Sequence, residues 1–243
     1  MTSTVPKPSP VFVTTRWTRV VAAKQGDTDA KTALAELCEI YYLPVVTFLR
    51  CTGNPEDRAR ELAHEFFAHF LERQSLGNVE QGRGKFRSYL LSCVKNFVAD
   101  QYDKSRAAKR GGDQEHVELR PATDTSPGVD PPDQNSRPAE EEFDRQWALT
   151  VLDQALQDLA TEHAAKGKVE QFAILKPWLS GGDDSMSQRE AADKLGVNEG
   201  AVKVAIHRLR KRFRTLVKEA IAQTLPESEN VGDELSYLIS VLG

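Results

Sequence analysis

The stretch that most constrains this chain runs from Ser187 to Val217, SQREAADKLGVNEGAVKVAIHRLRKRFRTLV. It reads as two helices joined by a tight turn. Ser187 can cap the first helix, and Glu190 closes a capping box in which each residue satisfies a backbone donor of the other. Ala191, Ala192 and Leu195 give that helix a small apolar face. Gly196 stops it, Val197 is the turn residue available to plug the core, and Asn198 caps the next helix. Val202, Ile206, Leu209, Phe213 and Leu216 then recur at helical spacing, which marks a buried stripe. Lys203, His207, Arg208, Arg210, Lys211, Arg212, Arg214 and Lys218 fill the remaining positions, with no acid from Ala201 to Val217. This is the pattern of a helix-turn-helix whose second helix enters the major groove. An ordinary basic amphipathic helix pair is the plainer alternative, but capping, turn and charge agree on DNA binding.

The formal net charge of −4 seems to oppose that reading. Its distribution supports it. From Arg83 to Arg110 the cations Arg83, Lys85, Arg87, Lys95, Lys104, Arg106, Lys109 and Arg110 face only Asp100 and Asp103. The basic helix near the C-terminus is a second cluster, and an acidic segment from Asp113 to Glu162 separates the two. No apolar run long enough to cross a bilayer is expected, and MTSTVPKPSPVF lacks the basic-then-apolar order of a signal peptide, so a cytoplasmic location is expected. Cys38, Cys51 and Cys93 lack metal-ligand spacing and read as small buried hydrophobes.

In chain order, residues 1–13 are rich in Pro and Thr and are expected to be disordered. A short helix is expected around Trp17 to Lys24. Asp27 caps a longer one, in which Ala30, Leu34, Leu37, Cys38 and Tyr41 recur and Pro44 forces a kink or break before Gly53. Asn54-Pro55-Glu56-Asp57 opens a helix from Pro55 to Arg73, with Leu62, Phe66 and Phe70 on its apolar face. After a loop at 77–84, a third long helix runs from Phe86 to about Lys109, with Tyr89, Leu90, Val94, Phe97 and Val98 as its apolar positions. Residues 111–139 carry Pro121, Pro127, Pro131, Pro132 and Pro138 and little apolar content, the composition of a flexible linker and so of a domain boundary. Helices are expected from Glu140 to Glu162 and from Val169 to Leu179, then the helix-turn-helix. A tail helix at 226–243 has an apolar stripe of Val231, Leu235, Leu238 and Ile239. No run of alternating residues calls for a sheet. The fold class is therefore all-α, with helical domains at 14–110 and 140–225.

His64-Glu65-Phe66-Phe67-Ala68-His69 approaches the zinc-protease pattern HExxH but misses it by one residue. Histidines five apart lie about 140° apart around a helix and cannot share a metal as the four-apart pair does. No phosphate loop, CxxC pair or nucleophile elbow appears, so no catalytic residue, metal or cofactor is expected.

Three stretches, in order, resemble conserved regions two and four of bacterial RNA polymerase sigma factors: ELAHEFFAHFLER, GKFRSYLLSCVKNFVADQYDKSRAAKR and LGVNEGAVKVAIHRLRKRFRTL. The likeness is to the small extracytoplasmic-function type, and TTRWTRVVAAKQGD with the central KRGG resembles a planctomycete-type branch of it. It covers nearly the whole chain except the first dozen residues, the linker and the tail. The resemblance implies that the Pro55 to Arg73 helix docks on the coiled-coil clamp of core RNA polymerase. Glu61, Glu65 and Phe67 sit in a DLxQExF-like core, and His64 stands where glutamine is usual. It implies that the next helix reads and opens the promoter −10 element. Phe86, Arg87 and Tyr89 match its FRxWL-like start, Asn96 its characteristic asparagine with Lys95 and Asp100 beside it, and Lys104, Arg106, Lys109 and Arg110 would grip phosphates. Unpaired bases are held by stacking and by hydrogen bonds to their edges, which suits such residues to strand opening.

For the −35 element, the resemblance places Asn198, Glu199, Gly200, Ala201 and Lys203 at the base-reading end of the second helix of the helix-turn-helix. Arg189, His207, Arg208 and Arg210 become phosphate contacts. Val204-Ala205 replaces the family's usual serine-arginine and removes one polar contact. Core RNA polymerase and promoter DNA are the implied partners, an anti-sigma factor or other regulator is a further one, and no membrane is expected. A stand-alone regulator with the same helix-turn-helix would bind operators as a dimer without polymerase. The FRSYLLSCVKN stretch, which a sensor domain would not need, decides against it. A recombinase would need a catalytic constellation, and none is visible.

Overall fold

Helix α1, Thr28–Cys51, carries Asp29 in its first turn and Arg50 in its last, each charge complementing the helix dipole. The structure, a computed structural model, describes residues 28–73, 85–111, 137–179, 186–226 and 229–243, the side chains of 30, 31 and 105–111 excepted. The expected N-terminal segment 1–13, the short helix at Trp17 to Lys24, the loop at 77–84 and residues 112–136 of the expected linker lie outside the described residues. Of the kink or break expected at Pro44, the break does not occur, and α1 continues through it. Tyr41, Val45, Val46, Phe48 and Leu49 are buried on either side of it. Burial at about 1.5–3 kcal/mol per large side chain outweighs the ~3 kcal/mol that an interior proline costs. The helix stops where Gly53 turns left-handed at φ 95. Its N–H then bonds the carbonyl of Arg50 while that of Asn54 reaches back to Leu49, the two bonds of a Schellman cap.

This helix also corrects the expectation that nothing in the chain could span a bilayer: Thr32–Cys51 is long and apolar enough, with a mean hydropathy of 1.4. It spends that apolar surface on the core, packed against its neighbours α2, Glu56–Arg73, and α4, Ala139–Ala165. Helix α2 buries Ala59, Leu62, Ala63, Phe66, Phe67 and Phe70. Helix α3, Phe86–Gly111, buries Phe86, Arg87, Leu90 and Val94.

Helix α4 has Glu140, Glu141 and Glu142 in its first turn and packs along much of its length on α1. The Phe143 ring stacks on Tyr41 at 6.3 Å and meets Phe48 edge-on at 6.5 Å. After α4 come α5, Val169–Leu175, a 3₁₀ turn at Lys176–Leu179, α6, Gln188–Leu195, α7, Glu199–Ala222, and α8, Val231–Leu242. Helix α4 packs against α7 and α8 as well as α1, so buried residues from both sides of residues 112–136 form one cluster. Among the described residues no strand occurs, and the fold is all-α.

The turn between α6 and α7 forms as its sequence dictates. Glu190 N–H donates to Ser187 Oγ at 3.2 Å and Ser187 N–H to Glu190 Oε2 at 2.7 Å, which also holds the Glu190 carboxyl below its ordinary range. Gly196 is left-handed at φ 65, and Ala201 N–H donates to Asn198 Oδ1 at 2.8 Å. Val197 is a correction: at 45% exposed it does not plug the core. Ala191, Ala192, Val202 and Ile206 close that space without it. Phe213 is only partly buried, and the stripe continues instead through Val217 and Ile221.

Candidate nucleic-acid interface

Helix α7 presents its first turns to solvent. Glu199, Gly200, Ala201, Lys203 and Val204 are exposed there, and His207, Arg208 and Arg210 continue along the same helix. Arg189 is exposed on α6. Asn198 has a prior commitment, since its side-chain oxygen caps α7, and a Cβ added at Gly200 would meet that oxygen at 3.2 Å. Arg210 is steered by its Nε–H, which donates to the Trp178 carbonyl at 2.9 Å. Arg212, one turn beyond Arg208, is committed to ion pairs. Its guanidinium spans Glu162 of α4, at 3.0 and 3.1 Å from Nε, and Glu219 at 3.2 Å. Those bonds hold the Glu162 carboxyl below its ordinary range.

A groove of about 630 Å³ runs beside the first turns of α7, between Gly200, Ala201, Val204 and Arg208 on one wall and Lys166 and Lys168 on the other. These two lysines follow α4 and are exposed. Sequence reading missed them because they stand alone between helices; only the fold brings them beside α7.

On α3, Lys95, Asn96, Asp100 and Lys104 are exposed, and Tyr89 is partly buried. Lys95 is paired with Glu140 at 2.8 Å. The side chains of Arg106, Lys109 and Arg110 lie outside the described residues. Tyr102, 63% exposed, is an aromatic that the sequence reading passed over. Its signal was a ring among Asp100, Asp103 and Lys104, where no buried stripe requires one. Phe86 and Arg87 are placed elsewhere. Phe86 is fully buried and meets Tyr41 edge-on at 5.1 Å. Arg87 is 7% exposed, pairs with Asp144 at 3.1 Å and Glu234 at 3.0 Å, and lies over the rings of Trp147 and Tyr237 at 4.5 and 4.4 Å. In this arrangement neither residue is available to DNA.

Of the residues expected to meet polymerase, Glu61, His64 and Glu65 are exposed along one stripe of α2. Arg58 braces both acids, at 3.0 Å from Glu61 and 3.3 Å from Glu65. His64 Nε2 lies 3.0 Å from the Tyr42 hydroxyl, and the two rings stack at 5.2 Å. Phe67 departs from the stripe: it is 8% exposed and packs on Phe66 and Tyr42. Among the described residues no cluster of His, Cys, Asp and Glu has the geometry to hold a metal ion.

A helix-turn-helix with an exposed basic second helix, a separate long helix with an exposed Asn96, and a braced acidic stripe together define a DNA-binding protein of transcription. The ECF sigma factor family model matches residues 15–219, and the chain belongs to that family. Sigma factors act in transcription initiation, with core RNA polymerase and promoter DNA as partners. Comparisons with curated proteins and with solved structures returned no match.

Proposed function

We propose that this chain is a dissociable sigma subunit whose exposed surfaces divide the work. The α2 stripe of Glu61, His64 and Glu65 docks on core polymerase. Helix α3, through Asn96 and the exposed Tyr102, captures unpaired bases of the −10 element, with Lys104 and the cations after it on the phosphates. The first turns of α7 read the −35 element, flanked by Lys166 and Lys168 as further phosphate contacts. Residues 14–110 and 140–225 serve as the two promoter-reading units. The chain catalyses no reaction itself, works in the cytoplasm with polymerase, and offers its exposed faces to an anti-sigma factor or other regulator. Val204 and Ala205 leave base readout to fewer polar groups than the family usually has.

The observation that carries this reading is that two exposed polar sets stand on different helices, Glu61, His64 and Glu65 on α2 and Asn96, Tyr102 and Lys104 on α3. A hydrogen bond between these helices, from Gln101 Nε2 to Glu65 Oε2 at 3.5 Å, lies away from Glu61 and Asn96. This placement predicts separable defects. Asn96→Ala should cut promoter opening, read by permanganate reactivity of unpaired thymines, by on the order of tenfold while leaving polymerase pull-down unchanged. Glu61→Lys should do the reverse, weakening pull-down by about tenfold. Loss of polymerase binding in Asn96→Ala, or full binding in Glu61→Lys, removes these assignments.

A further inference from the structure

Glu234, on the tail helix α8, is 1% exposed. A carboxylate so far from water is costly to bury without cations beside it. It has two. Lys85 Nζ is 2.6 Å from Oε2 and Arg87 Nη1 is 3.0 Å from Oε1. Tyr237, one turn further along α8, covers Arg87 with its ring and donates its hydroxyl to Asp144 of α4. The grip on this end of α3 extends to its backbone, because Phe86 N–H donates to the Thr224 carbonyl, just past α7, at 3.4 Å. Four separate stretches of chain thus meet at residues 85–87.

Two features make this junction a fastening that can be undone. Its ion pairs are close but poorly directed: Arg87 Nη1 and Glu234 Oε2 make no hydrogen bond of good geometry. Buried charges held that way return little of their desolvation cost. Geometry also forbids the fastened form from spanning a promoter. The −10 and −35 elements are about 25 base pairs apart, or ~85 Å of straight duplex at 3.4 Å per pair. Gly200, at the reading end of α7, is connected to Asn96 through α7, the Thr224–Phe86 contact and the first turns of α3. At 1.5 Å per residue that path is at most roughly 60 Å. Both elements cannot be read together until this contact and the packing of α4 on α1 part.

We propose that α8 is an internal competitor for promoter DNA: Glu234 occupies the cation pair Lys85 and Arg87, fastening the −10-reading helix to the −35-reading half. Release of α8 frees the two cations to bind DNA phosphates. Carboxylate and phosphate are alternative anions for one cationic site at the start of a helix. The device rests on the sigma-factor reading above, and it adds Lys85 to the DNA-contact residues.

Hydrogen exchange on the unaltered full chain tests it. Released from the body, a twelve-residue helix is marginal in water, so its amides lose protection. Amides of Val231–Leu242 should be protected in the free chain and should exchange at least about tenfold faster in the complex with core polymerase and promoter DNA. Equal or greater protection in that complex overturns the proposal. Absence of any promoter complex removes instead the sigma reading beneath it. In the free chain, Glu234→Gln should raise affinity for a forked −10 DNA by on the order of tenfold, and adding Arg87→Ala should abolish the gain. An unchanged affinity in Glu234→Gln contradicts the competition.

Discussion

Cys38 and Cys51 lie on the same helix in opposite surroundings. Cys38 is buried, and burial, helped by the charge of Glu39, pushes its thiol up to about 12. Cys51 is exposed at the end of α1 and Cys93 lies between the two in exposure. Since the thiolate is the nucleophile, Cys51 should alkylate first under native conditions and Cys38 only as the chain unfolds. Mass spectrometry of partially alkylated protein checks that order. Asn198 supports a second expectation, because its cap is independent of DNA. Asn198→Ala should lower stability by about 1 kcal/mol and Asn198→Asp by much less, read by thermal melting of the free chain. Local chemistry of this kind was fully legible in the sequence: Ser187, Glu190, Gly196 and Asn198 act on neighbours a few residues away. Phe67 and Arg87 were not. Phe66 and Phe67 point about 100° apart on α2, and only the ring of Tyr42 from another helix decides that both are buried. Arg87 has partners, Asp144 and Glu234, that no local pattern connects to it.

Among the elements, α4 packs against α1, α7 and α8, and the Glu162–Arg212 bridge ties its end to α7. The Glu162 carboxyl lies below its ordinary value of 4.5 because Arg212 hydrogen-bonds its charged form. A depressed carboxylate contributes stability that is full above the unfolded value and is lost as pH falls through the folded one. The stability difference between the native chain and Glu162→Gln should therefore be constant above pH 4.5 and shrink below it, as urea titrations at stepped pH would show. A constant difference at all pH values would mean that the bridge contributes through packing instead. Helix positions were readable because apolar spacing and caps are properties of one segment. The hydropathy of α1 was legible in the sequence and was passed over, whereas its continuity through Pro44 depends on what α2 and α4 bury against it. The tail stripe was read in part: Leu238 is buried, but Ile239 is 63% exposed and Glu234 takes the inward place instead.

At the scale of the molecule, an overall acidic chain gathers exposed cations along α7, at Lys203, Arg208 and Arg210, and places a braced acidic stripe on a different helix, α2. That division suits a protein with two kinds of partner, a polymerase surface and DNA. The most direct measurement is run-off transcription with core polymerase from the same organism on genomic promoter fragments. The predicted result is a set of discrete transcripts that appear only when this protein is added and fall on the order of tenfold with Asn96→Ala. No promoter-specific transcript, together with a shift of operator DNA by the protein alone as a dimer, would contradict it and leave a stand-alone regulator in its place.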